Sequence, residues 1–176
     1  MILPKIRDKR FITVRRGGTL SDGDHHLLAI WAAQCAHHVL HYFEEIRADD
    51  YRPRRAVESA QAWVNGEITM KQARFAAGES QDAAREVKEL SEAAKLAALS
   101  AGQAAVVAHV AAHELGAAAY AIRAVMAASP ENKKEMVRRQ ERKWQLDMLP
   151  EKIRNLVIDD ERLRNDICWF IFSEDL

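Results

Sequence analysis

Cysteine is scarce in this 176-residue chain: Cys35 and Cys168 are far apart and lie outside any CxxC context. That spacing excludes a zinc ribbon and a dithiol redox motif. Cys35 falls in an apolar helical pattern and reads as a small core residue. An excess of charge is also lacking. Lys plus Arg and Asp plus Glu number 26 each, so no overall field draws the chain to nucleic acid or to an anionic membrane. No uncharged apolar run reaches membrane-spanning length, since even the alanine-rich stretch carries Lys95, His109, His113, Glu114 and Arg123. The opening MILPKIRDKR has no apolar core of a signal peptide, which makes the cytoplasm the expected location. Nucleophile elbow, phosphate loop and dinucleotide fingerprint are missing too. RRGGTLSDGD holds glycines but neither GxGxxG nor GKS/T.

Alanine is what the sequence has in abundance. Ser91–Ser129 contains no proline and almost nothing to stop a helix, and alanine forms helices best because it loses no side-chain rotamer freedom. One helix over this span would be roughly 58 Å long. Small side chains let neighbours approach closely, so this stretch is expected to be the central helix of an all-α, single-domain bundle of about five helices. The chain length fits one domain with a sizeable core.

Local signals place the other elements. Residues 1–23 read as an irregular arm, with Phe11–Val14 as a short strand or extended segment lying across the bundle and a turn at Arg15–Gly18. A first helix is expected from Asp22 or Asp24, either one a good N-cap, to about Arg47. Pro53 opens a second, which Asn65-Gly66 ends. Thr69 and Gln72 form a capping box for a third, with a break near Ser91. Ser129-Pro130-Glu131 stops the alanine stretch and starts a charged helix through ENKKEMVRRQERKWQLDML. Short helices follow Pro150, and the apolar tail CWFIF is expected to dock on the bundle, so that residues 150–176 form a packed C-terminal segment.

The histidines carry the only metal-like spacing. His109 and His113 are four apart, as are His37 and His41, and two such pairs facing each other across a bundle could supply four imidazoles to a divalent metal. HVAAHE is not the HExxH zinc motif, because its glutamate follows the second histidine. The simpler reading makes His109 and His113 core residues bonded to facing helices, with no cofactor. His25 and His26 are expected on the surface at the helix start. Gly102 and Gly116 cost helix stability, which suggests close backbone approach. A metal-dependent bundle enzyme, or a small-molecule pocket lined by Tyr120, Trp31 and the histidines, are the competing functional classes. The mixed signs of Lys133–Lys143 read as a solvated face.

Four segments taken together, FITVRRGGTLSDGDHHLLAIWAAQCAHHVL, RPRRAVESAQAWVNGEI, AHVAAHELGAAAYAIRAV and ERKWQLDMLPEKIRNLV, resemble a bacterial family of immunity proteins, the all-helical partners of polymorphic toxins. The resemblance runs from about Phe11 to Val157. It implies a protein that neutralises a cognate toxin by binding it, not by catalysis. Arg54, Trp63, Gly66, Glu67, His109, His113, Gly116, Tyr120, Trp144 and Pro150 fall on the family's recurring pattern. A binding surface of this kind needs charge and aromatic complementarity. Acidic clusters occur at Glu44-Glu45 with Asp49-Asp50 and at Asp159-Asp160-Glu161. The first, with Tyr51 and Arg52, is the expected partner-binding rim. An alanine-rich face packs closely enough to make a homodimer a further expectation.

Overall fold

The computed structural model describes residues 2–173, so the extreme ends of the expected arm and tail, residues 1 and 174–176, lie outside the described residues. Eight α-helices occur among the described residues, and the only β-type pairing is an isolated bridge between Thr13 and Leu20. The helices are α1 (Asp22–Val39), α2 (His41–Glu44), α3 (Arg52–Val64), α4 (Met70–Glu86), α5 (Glu92–Val106), α6 (Glu114–Ala127), α7 (Lys134–Asp147) and α8 (Glu151–Leu163).

Most starts follow from the local chemistry. Thr69 and Gln72 exchange both bonds of the capping box that opens α4. Ser91 caps α5 by accepting from the Ala94 amide, which places the α4–α5 break where the sequence suggested. Pro53 sits in the first turn of α3, and Gly66 follows its end with φ +75°. At α1 the cap is Ser21, whose hydroxyl accepts from the Asp24 amide; the aspartates fall inside the first turn, where their charge favours the helix dipole.

The alanine stretch departs from expectation. It is no single rod: α5 ends at Val106, residues 107–110 turn, a 3-10 turn spans Ala111–His113, and α6 runs back along α5. No glycine or proline breaks it. Val110 is extended (φ −139°, ψ 109°), and carbonyls left open at the bend find side chains instead. His25 Nε2–H donates to the Val107 carbonyl at 2.7 Å, and Arg164 Nη1 donates to the Ala112 carbonyl at 2.9 Å. A rod of 58 Å would need partners along its whole length; folded back, its halves bury each other. The centre of the fold is therefore an alanine hairpin.

Around the hairpin, α4, α3, α1 and α2 pack on α5, while α1, α7 and α8 pack on α6. Ser80 Oγ donates to the Ala98 carbonyl at 2.8 Å and Ser100 Oγ to the Ala117 carbonyl at 2.7 Å, cross-linking neighbouring helices. A Cβ placed on Gly102 would lie 3.1 Å from the Ala77 carbonyl, so α4 and α5 do touch backbone to backbone there. Trp31, Phe43, Leu28, Leu115, Ile122 and Ile153 fill the remaining core. The alanine face that suggested a homodimer is consumed inside the chain, with Ala97, Ala101, Ala104, Ala117 and Ala121 all fully buried.

The two ends pack against this core. The N-terminal arm forms 3-10 turns at Lys9–Phe11 and Val14–Arg16 in place of a strand, and buries Ile2, Phe11 and Leu20. The tail docks only in part. Cys168, Ile171 and Phe172 are buried, whereas Trp169 and Phe170 stand exposed with left-handed φ of 59° and 57°. Arg123 lies over the Trp169 ring at 4.1 Å.

A basic cleft, a charge-compensated rim and the histidines

The N-terminal arm, the end of α3 and the α5–α6 bend enclose a cleft of about 420 Å³, lined among others by Arg7, Arg15, Arg16, His25, Trp63, Met70 and His109. No lining residue is acidic. Trp63 meets His25 and His26 at ring separations of 4.8 Å and 5.0 Å. His25 is buried, contrary to the surface position expected for it, because the bend needs its Nε2–H; burial holds its pKa below the usual histidine range. His109 is half-buried on the cleft wall, and its Nδ1 has no hydrogen-bond partner. Burial lowers its pKa, and the charges of Arg74, Arg16 and Arg7 lower it further.

The four histidines of the metal expectation do not converge. His109 lies in the turn after α5 and His113 ends a 3-10 turn, so the i,i+4 helical face that would have aligned them does not exist. His113 Nδ1–H donates to Gln103 Oε1 at 2.7 Å, and its pKa falls to about 4 through burial and the nearby Arg164 charge. His37 and His41 are exposed at the other end of α1 and on α2. Among the described residues no three His, Cys, Asp or Glu side chains come together as a metal-ligand group. The small-molecule pocket also dissolves. Trp31 is fully buried with Nε1–H on the Gln145 carbonyl at 2.9 Å, while Tyr120 lies against Trp169 at 5.3 Å.

The acidic rim is built from ion pairs. Arg52 Nη2 lies 2.7 Å from Asp50 and 2.6 Å from Glu86, and Arg54 Nη2 lies 2.6 Å from Glu44. Asp50 also accepts from the Arg52 amide at 3.1 Å, so it serves as a brace for the start of α3, and the Arg52 guanidinium holds its pKa low. Glu45, Asp49 and Tyr51 are exposed, Tyr51 at 57%. The second acidic cluster turns mostly inward: Asp160 and Glu161 are buried, and the half-buried Asp159 pairs with Arg10 and Arg162.

A model of the Imm-5 like putative immunity protein family matches residues 18–152. The chain belongs to that family. No curated protein and no solved structure matches it. The family span holds the hairpin, the rim and seven of the thirteen cleft-lining residues, while the lining arginines of the N-terminal arm fall outside it. Residues on the recurring pattern divide by role: Trp63 and His109 line the cleft, Arg54 braces the rim, and Gly116 makes room for Gln103, whose Oε1 would sit 2.5 Å from an added Cβ. Trp144 stacks on His38 at 3.7 Å.

Two buried polar groupings went unread in the sequence. Arg164 connects Asp160, Glu114 and the carbonyls of Ala112 and Ile2. Glu141 accepts from His38 Nδ1 at 2.9 Å and from Gln145 Nε2 at 3.0 Å, while Arg142 pairs with Glu161 at 3.1 Å. The sequence signal was available. Asp160–Arg164 and Glu141–Gln145 are i,i+4 pairs, and a charged helix lying on an apolar bundle must turn some charge inward. Among the described residues no helix is long and apolar enough to cross a membrane.

Proposed function

We propose that this chain neutralises a cognate bacterial toxin by binding it directly in the cytoplasm, one copy to one, without turnover. The observation that carries the reading is family membership over residues 18–152. The architecture supports it: the core is closed by packed alanine and buried ion pairs, leaving sequence differences at the surface to set specificity. The rim of Glu44, Glu45, Asp49, Asp50, Tyr51 and Arg52 is one contact region, with Tyr51 as an exposed aromatic anchor. Because Asp50 and Glu44 are tied to arginines, the readable charges there are Glu45 and Asp49.

The test is co-expression with the product of the adjacent gene in a sensitive bacterial host. The expected result is restored growth, with the two proteins co-purifying in equal amounts. Protection at strongly substoichiometric levels of this chain would point to catalysis and refute the binding reading. Unrelieved killing by a partner beside well-expressed wild-type chain would refute the pairing. Glu45→Lys with Asp49→Lys should weaken the complex at least tenfold if the rim takes part; unchanged affinity would remove the rim from the interface.

A further inference from the structure

The cleft beside the N-terminal arm holds a concentration of positive charge that a chain of net charge zero does not require. Arg7 and Arg16 line it, and on α4 Arg74 follows the lining Met70 by one helical turn. All three are exposed, and none makes an ion pair or side-chain hydrogen bond among the described residues, whereas Arg15 pairs with Asp22 at 2.9 Å. Eleven of the fourteen other arginines find a carboxylate, whereas these three do not. Like charges held together raise the local potential and are relieved by an anion. Apolar walls from Phe11, Ile12, Met70 and Val110 lower the local dielectric and strengthen that attraction.

We propose that this cleft receives an acidic, carboxylate-bearing segment of the partner protein. The assignment rests on the immunity reading and names the chemistry of a second contact region. Guanidinium groups match carboxylates in fork geometry, and several of them at one rim favour a chain of carboxylates over a single ion. The cleft offers little to stack bases on, which argues against a nucleic acid: of its two aromatics, Phe11 is buried. Trp63 already has two imidazoles against it, His25 tilted and His26 edge-on, so its faces are not open to stack bases. Arg74 also borders a shallow groove on α4 with Lys71, Glu79, Asp82 and Phe75, and the 70% exposed Phe75 places an apolar anchor beside the cleft's basic edge. Along α3 the rim and the cleft stand roughly 16 Å apart, Arg52 at one end and Trp63 near the other, a span one partner can cover.

The test uses the full chain with three probes: hexaglutamate, inorganic phosphate and hexathymidylate, each titrated at low and at physiological salt while amide shifts are followed. Hexaglutamate should shift amides around Arg7, Arg16, Trp63 and His109, and bind at least tenfold tighter than phosphate. Arg7→Glu/Arg16→Glu/Arg74→Glu should weaken it at least tenfold. Lys134→Glu/Arg139→Glu/Lys143→Glu, which makes the same change in net charge on α7, should change it less than twofold. If the glutamate triple does not fold, as judged by circular dichroism and thermal melting, the glutamine triple takes its place. Equal losses in both triples, shifts outside the cleft, tightest binding by hexathymidylate, or phosphate binding as tightly as hexaglutamate would each overturn the proposal. In the co-expression assay, failure of the wild type to protect would count against the immunity reading alone. Protection and partner affinity unchanged in the cleft triple would sink this inference and leave that reading standing.

Discussion

Arg164→Met should be among the most damaging single substitutions in the molecule. The guanidinium is 3% exposed and has no water to fall back on. Its Nε donates to Asp160 at 2.9 Å, Nη1 to the Ala112 and Ile2 carbonyls at 2.9 Å and 3.3 Å, and Nη2 to Glu114 at 3.2 Å and again to Asp160. Burial pushes the Glu114 carboxyl well above the usual range, with Arg164 opposing and Asp160 adding to the rise. The trio sets one guanidinium against two carboxyls, and burial drives Glu114 toward its neutral form. Methionine fills most of the space but leaves the Asp160 carboxylate buried without a counter-charge, which costs about 3–5 kcal/mol. For a chain of this length that is a melting-point drop of about 6–20 °C. Urea denaturation of wild type and variant, with equal slopes, measures it. Adding Asp160→Asn to Arg164→Met should recover about 1 kcal/mol or more by removing the orphaned charge. A loss under about 1 kcal/mol for Arg164→Met, or no recovery in the double variant, would show that the trio does not hold the structure as described.

Further outcomes follow from single positions. His113 has a folded pKa of about 4 against an unfolded value of 6.5, so the unfolded chain takes up the proton first. Stability should be full above pH 6.5 and fall by up to about 3 kcal/mol as pH drops toward 4; His113→Gln should flatten that slope in pH-dependent melts. Glu114 runs the opposite way: its raised folded pKa means stability is lost as pH rises above 4.5, so Glu114→Gln should gain on wild type with increasing pH. Gly78→Ala has nothing within 4 Å and should stabilise by about 0.4–1 kcal/mol, whereas Gly102→Ala meets the Ala77 carbonyl and should destabilise despite its better helix propensity.

The chain's local punctuation was legible because it is written in short-range chemistry. Thr69 with Gln72, Ser91, Pro53 and Gly66 act on amides a few residues away, and each does what its type and spacing imply. The bend at 107–110 was not legible, because the groups that stabilise it come from far away. His25 is 82 positions from Val107 and Arg164 is 52 from Ala112, and neither carries a local mark of its duty. The same distance effect displaced the candidate site. The spacing of His109 and His113 presumed a helix, and the turn sends His109 to the cleft wall and His113 to Gln103. Acidic residues at Asp159–Glu161 looked like surface because sequence cannot tell which face α8 presents to the bundle.

Arg164 also sets an order of events. It reaches the carbonyl of Ile2 across 162 positions, and its partners Ile2 and Asp160 lie outside the family span of 18–152 while Glu114 lies within it. During synthesis the alanine hairpin is complete long before residue 164 is added. The Ile2 carbonyl must wait for this partner until α8 and the residue after it have emerged. The N-terminal arm that walls the basic cleft thus gains its bond to Arg164 and its Arg10–Asp159 ion pair only after the hairpin is made. A copy stopped before residue 159 would carry the hairpin with both of these ties to the arm missing.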